Sequence, residues 1–267
     1  MFVLSSLTAW PPLFWGVLIT QLLALYFVYL FVANITLPSG RAIPGSRFLI
    51  VIAHPDDETM FFGPFLASEA EQNSELHVLC FSRGDFYVNG DVRRRELNRA
   101  VDRLGVSTKL VTVLGWPQFP DNPNIRWRMS DVRDVILDYC NGHPQIEAIV
   151  TFDAYGVSGH LNHLAIADAV KNLAKEPEFD QRIFTLESVS ILRKYCRPLD
   201  EVFCAKWPPS YRYRVSETMA ERVQWALLAH ESQMLWFRHL YRWFSRYMRV
   251  NTFEELDKRR SHRKKLL

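Results

Sequence analysis

The chain has 267 residues, 48% of them hydrophobic and 13% aromatic, with 32 Lys and Arg against 29 Asp and Glu, a net charge of +3. This composition excludes a disordered, collagen-like or disulfide-scaffold protein, and it argues against a soluble nucleic-acid binder, whose basic surplus would run throughout. Placement says more than the total: no charge precedes Arg41, and residues 238–265 hold ten basic and three acidic groups, leaving 22 basic and 26 acidic groups elsewhere.

From Leu13 to Ala33 run 21 uncharged residues, of which only Gly16, Thr20 and Gln21 are not hydrophobic. At 1.5 Å per residue this is about 30 Å, one bilayer core, and predicts a retained transmembrane helix. A cleaved signal peptide fits less well, because no Lys or Arg precedes the run, it exceeds the roughly 7 to 15 apolar residues usual there, and no A-x-A-like site follows. Trp10, Trp15, Tyr26 and Tyr29 add amphipathic rings near this span. Arg41 and Arg47 follow the span and no Lys or Arg stands before it, so the bulk of the protein is expected in the cytosol. In that orientation the Asn34-Ile35-Thr36 sequon lies on the wrong side for glycosylation. Four cysteines without C-x-x-C spacing read as buried thiols in a reducing compartment.

After the breakers Ser39-Gly40 and Pro44-Gly45, short apolar runs at 48–53, 76–81, 110–114 and 148–152 alternate with helical patterns at 58–71, 92–104, 128–140 and 161–174. Alternation of this kind predicts one Rossmann-like α/β domain with a mostly parallel sheet. The expected organisation is a short lumenal start at 1–12, the span at 13–33, a linker at 34–46, the α/β domain at 47–250 and a basic tail at 251–267.

In such sheets, chemistry gathers beyond the carboxyl ends of the strands. Directly after the first strand comes Ala53-His54-Pro55-Asp56-Asp57-Glu58, and after the fourth come Asp153 and Gly159-His160-Leu161-Asn162-His163. Taken alone, the three acids also suit the positive N-terminus of the next helix. Together, two histidines and a carboxylate suit a catalytic metal, zinc above all, with an open position for water of pKa near 7 and room for another divalent ion.

AHPDDE and GHLNH resemble the paired motifs of the LmbE-like zinc deacetylases, which have a Rossmann-like fold and deacetylate N-acetylglucosamine conjugates. TFDAYGVSGHLNH, RRRELNRAVDRLG and HESQMLWFRHLYRWFSRYM are similar to the eukaryotic PIG-L-type branch, over about Phe48 to Met248. The resemblance implies His54, Asp57 and His163 as zinc ligands, Asp56 as general base and His160 as the partner of the tetrahedral intermediate. It implies hydrolysis of the N-acetyl group of GlcNAc-phosphatidylinositol, an early step of GPI-anchor biosynthesis, at the endoplasmic-reticulum membrane. A deacetylase of another N-acetylglucosamine conjugate and a non-catalytic lipid-binding membrane protein stay as alternatives.

Within the same resemblance, one of Arg93, Arg94 and Arg95 binds substrate, although each also reads as a solvated helix residue paired with Asp91 or Glu96. Asp85 is a further pocket candidate, and His230 is one that closes the pocket or packs in a helix. Arg238, Arg242, Arg246 and Arg249, spaced 4, 4 and 3 apart, predict one helix with a basic ridge beside an aromatic one, either packing on the core or facing anionic lipid. Lys264-Lys265-Leu266-Leu267 resembles a dilysine retrieval signal, which works only from the cytosol.

Overall fold

The computed structural model describes residues 12–33 and 40–256. The start expected to be lumenal, the sequon and the basic end from 257 onwards, with its dilysine pair, lie outside the described residues. An N-terminal helix α1 (Pro12–Ala33) precedes the domain. Among the described residues no helix is long and apolar enough to cross a membrane, so the span expected at 13–33 is not established by the fold.

The domain is built on β1 (Arg47–Ile52), α2 (Asp57–Glu71), β2 (Glu75–Cys80), α3 (Gly90–Leu104), β3 (Val111–Val113), α4 (Met129–Gly142), β4 (Ala148–Phe152), α5 (Leu161–Leu173) and β5 (Arg182–Leu186). β1 reads RFLIVI and buries every residue after Arg47, the pattern of a strand covered by helices on both faces. It pairs in parallel with β2 on one side and β4 on the other. β2 extends the parallel sheet to β3, and β4 extends it to β5. α3 opens on Asn89, whose side chain accepts from the Asp91 amide, and ends on Gly105 in the left-handed region.

The chain then adds α6 (Ile191–Tyr195), α7 (Arg197–Lys206), β6 (Tyr211–Arg214), α8 (Glu217–Leu227), α9 (Trp236–Phe244) and β7 (Val250–Glu255). β7 runs antiparallel to both β5 and β6, which completes a seven-stranded sheet of order β3-β2-β1-β4-β5-β7-β6. The domain therefore extends past 250: β7 buries Phe253 and pairs on both edges, so the tail expected from 251 is a sheet strand at its start.

One helix from 238 to 249 does not form. α9 ends at Phe244, Ser245 turns extended, and a 3₁₀ turn covers Arg246–Met248. The four arginines consequently part company. Arg246 is wholly buried with Nε donating to Asp200 at 2.8 Å, Arg249 pairs with Glu217, Arg242 lies over the Trp243 ring, and Arg238 turns inward.

Strand order reverses between β1 and β4, and a crevice opens beyond the carboxyl ends of the strands at such a point. Both loaded loops, 53–57 after β1 and 153–160 after β4, rise beside it.

Candidate active site

The loop after β1 is tied down by its own acids. Asp57 Oδ2 accepts from the amides of Ala53 and His54 at 3.1 and 2.9 Å. Glu58 Oε2 accepts from the Asp56 amide, and Glu58 Oε1 accepts from Thr59 Oγ1 and meets His230 Nε2 at 2.6 Å, with both Glu58 and His230 fully buried. These bonds hold Asp56 at φ 127°, a conformation that costs an L-residue about 1 to 3 kcal/mol. Strain of this kind survives only where the surroundings over-determine it, and here it points the Asp56 carboxylate into the cavity.

The loop after β4 is organised by Asp153, which accepts from the amides of Tyr155 and Gly156 and from both the amide and hydroxyl of Ser188. Gly156 at φ 59° lets its carbonyl reach His163, and a Cβ there would come within 2.8 Å of the His163 Cβ. His160 caps α5, its Nδ1 accepting from the Asn162 amide at 3.3 Å.

The imidazole protons follow from these partners. A carbonyl only accepts, so His163 Nδ1–H donates to Gly156 O at 2.9 Å, and Nε2 holds a lone pair whenever the ring is neutral. That Nε2 is buried without a hydrogen-bond partner, 3.3 Å from Asp57 Oδ2. A backbone amide only donates, so His160 Nδ1 is bare and its neutral ring carries the proton on Nε2. Burial, followed by the His54 and His163 rings, pushes His160 down to about 4, which makes it neutral at neutral pH. Burial opposes ionisation of Asp57, yet a protonated His163, by charge and hydrogen bonding, and then His54 outweigh it and hold the carboxyl well below its usual range; the same Asp57 contact raises His163 against its burial.

Nitrogens of His54, His160 and His163 lie within 4.8 Å of one another. Asp57 Oδ2 is also 3.7 Å from His54 Nδ1. The far nitrogen of His54, Nε2, faces Asp121 Oδ1 at 3.2 Å, the orienting contact that metal-binding imidazoles commonly make. In the neutral ring His163 Nε2 is a free acceptor that faces the Asp57 carboxylate, an arrangement that a shared cation stabilises. The residues present therefore fit a divalent metal ion.

Around this cluster is a cavity of about 400 Å³. Arg93 is the arginine of its triplet that lines it, buried and bonded to Pro55 O, Gly84 O and Asp121, and 3.3 Å from Asp56. Arg94 and Arg95 face solvent on the opposite side of α3, and Glu96 accepts from Ser232 instead of pairing with them. Asp85 is exposed outside the cavity. His230 does not close the pocket: it sits behind the wall and supports Glu58.

Three lining residues carried no such signal in the sequence. Asp121 stands in an irregular loop after β3, where only its place beyond a parallel strand marks it. Arg238, expected on a surface ridge, donates to Asp56 at 2.7 Å across 182 residues of chain. Lys194 enters the cavity from α6.

Comparison with known proteins bears on this arrangement. The PIG-L family, described as GlcNAc-PI de-N-acetylase, matches residues 49–174, which carry both loops. A Bos taurus protein named N-acetylglucosaminyl-phosphatidylinositol de-N-acetylase is 40% identical over 227 residues, covering 84% of this chain and 89% of that one. The chain belongs to the PIG-L de-N-acetylase family. A Saccharomyces cerevisiae member of the same name is 30% identical, over 77% of this chain and 80% of its own. Among solved structures, N,N'-diacetylchitobiose deacetylase from Pyrococcus horikoshii shares the fold with a TM-score of 0.59 at 14% identity, covering 81% of this chain and 86% of that one. The expected α/β architecture with a mostly parallel sheet is thus the one observed, and the residues that match the PIG-L family carry both motifs.

Proposed function

We propose that this chain is a zinc-dependent amidase that hydrolyses the N-acetyl group of GlcNAc-phosphatidylinositol, releasing acetate and GlcN-phosphatidylinositol. The observation that carries the reading is the bare, buried His163 Nε2 facing Asp57 Oδ2 in a cavity that Asp56 and His160 also line, within a PIG-L family chain.

His54, Asp57 and His163 would hold the ion. His160 is the less suitable ligand, because its Nδ1 bond to the Asn162 amide places the proton on Nε2 and leaves no lone pair there to offer. Two imidazoles and a carboxylate suit zinc, and other divalent ions compete for such donors. When bound, the ion supplies Lewis acidity that polarises the acetyl carbonyl and lowers the pKa of water.

The chain's own groups do the rest. Asp56, fixed by Arg238 and Arg93, takes a proton from the attacking water and returns it to the departing nitrogen as the C–N bond breaks. His160 Nε2–H donates to the carbonyl oxygen as it gains negative charge. Arg93 and Asp121 wall the same cavity and bound the space left for the sugar.

The uncharged run at 13–33, with Arg41 and Arg47 after it, supports a single-pass anchor with the catalytic domain in the cytosol. Residence in the endoplasmic-reticulum membrane belongs to the same proposal. Purified full-length chain, supplied with zinc and GlcNAc-phosphatidylinositol in vesicles, is expected to release acetate. Release only from another N-acetylglucosamine conjugate would overturn the substrate, and lipid binding without any release would overturn the enzyme. Metal analysis after anaerobic purification is expected to return zinc.

A further inference from the structure

α9 lays an unusual surface beside the cavity mouth. At about 100° per residue, Trp243, Trp236, Leu240, Phe244 and Phe237 fall within one arc roughly 120° wide. All five are exposed, Trp236 to 75% and Trp243 to 60%; the exposed His239 flanks the arc, and Arg242, on the far side of the helix, reaches back over the Trp243 ring. Inward of it, Tyr241 is buried and Arg238 reaches Asp56. α6 packs against α9 through Tyr195 and Tyr241, and carries Ile191 and Leu192, 72% and 65% exposed. Phe237 and Tyr195 belong both to this surface and to the lining of the cavity. So large a contiguous aromatic patch on one helix marks an interaction surface.

We infer that α9 and α6 form an interfacial docking surface that seats the cavity mouth on a lipid bilayer. This rests on the lipid substrate proposed above. The occupant follows from continuity: the patch runs into the mouth of a cavity whose proposed substrate has its acyl chains in a bilayer, so whatever covers the patch must let that lipid pass. A bilayer does so, whereas a protein seated there would block the entrance. Trp and Phe exposed beside Arg and His is also the composition of helices that lie in the headgroup region. On this reading α9 sinks its aromatic arc among the acyl chains while Arg242 stays at phosphate level, and the sugar headgroup enters between α6 and α9.

The test uses the full chain in phosphatidylcholine–phosphatidylinositol vesicles. Cys196, the exposed free thiol among the described residues, is replaced by serine, and a spin label is placed at W243C. Membrane docking predicts relaxation by oxygen and protection from a water-soluble nickel chelate. Access to the chelate would overturn the inference by leaving the face in water, and protection from both reagents would overturn it by showing a protein cover. This readout needs no turnover, so it stands or falls separately from the amidase reading. In a second arm, Trp236→Ser with Trp243→Ser lowers kcat/KM on vesicle-borne substrate at least about tenfold. The same pair leaves a short-chain, dispersed form of the substrate unaffected, and equal loss on both forms would refute docking.

A different observation points to a phosphate-binding residue. Lys194 Nζ lies 5.4 to 6.0 Å from the rings of Tyr241, Tyr195, Tyr247 and Phe61, inside the cavity lining. Arg93 and Arg238, the other cations that line the cavity among the described residues, are bonded to carboxylates, and Lys194 is bonded to none. A half-buried ammonium held only by aromatic faces keeps its hydrogen bonds free for an anion. We propose that Lys194 binds the phosphodiester of the substrate, one inositol ring away from the sugar that carries the acetamide. Lys194→Met should raise KM for GlcNAc-phosphatidylinositol on the order of tenfold to a hundredfold, with kcat little changed and Lys194→Arg restoring most of the loss. GlcNAc-inositol, which has no phosphate, should be processed equally by both variants and the parent. An equal loss on the two substrates, or none on either, would overturn the assignment.

Discussion

Replacing Asp56 by asparagine separates proton transfer from metal binding. The amide keeps an oxygen that can accept from Arg238 and Arg93, and asparagine is among the residues best tolerated at positive φ, so the loop after β1 should keep its shape. What is lost is the proton acceptor. Positioned acid–base groups contribute about 10² to 10⁴ in rate, which at about 1.36 kcal/mol per decade is roughly 2.7 to 5.4 kcal/mol of barrier. The Arg238 guanidinium, largely buried, also loses its opposite charge, and the fold should weaken by about 1 to 3 kcal/mol. Metal content should stay at the wild-type level, because Asp57 and not Asp56 faces His54 Nδ1 and His163 Nε2. His163→Ala is the counterpart: it removes a ligand and should lose metal and turnover together. Acetate release and metal stoichiometry measured on the same preparations decide the matter. Parallel loss of metal in Asp56→Asn and His163→Ala would refute the division of roles, and so would an Asp56→Asn enzyme that keeps a tenth or more of its rate.

Gly156→Ala should weaken metal binding without touching a ligand, since its Cβ would meet that of His163 at 2.8 Å on a backbone at φ 59°; metal titration should show affinity down about 10- to 100-fold, the scale of lost orienting contacts. Arg93→Ala should lower kcat/KM on the order of a hundredfold by freeing Asp56, Asp121 and the Pro55 carbonyl, whereas Arg94→Ala and Arg95→Ala should leave steady-state kinetics as they were. His230→Ala should cost about 1 to 3 kcal/mol in denaturant unfolding, because it takes a hydrogen-bond partner from the buried Glu58, and metal stoichiometry should not change.

Much of the domain could be read locally. Arg47–Ile52 and Ala148–Phe152 are strands because short apolar runs bounded by breakers have few other uses, and the helices that follow them obey a 3.6-residue period. His54, Asp56, Asp57, His160 and His163 could be picked out because they are crowded into two turns, each at a strand's carboxyl end. The expected ridge of Arg238, Arg242, Arg246 and Arg249 shows where periodicity misleads: a three- to four-residue spacing continues through Ser245, yet the backbone turns there and sends Arg246 into the interior. His230 carried a family likeness and Asp85 only a plausible chemistry, and neither property says which way a side chain points.

By itself, then, the sequence determined the element pattern, the two chemical loops and the uncharged stretch ahead of them, all properties of neighbouring residues. Only the tertiary structure decided that β1 and β4 lie side by side so that those loops face one another, that Arg93 rather than Arg94 or Arg95 turns inward, and that Asp121, Lys194 and Arg238 join them. The physical reason is distance along the chain. Asp56 and Arg238 are 182 residues apart, and no local pattern encodes a contact that exists only after seven strands have taken their order and buried both partners against one cavity.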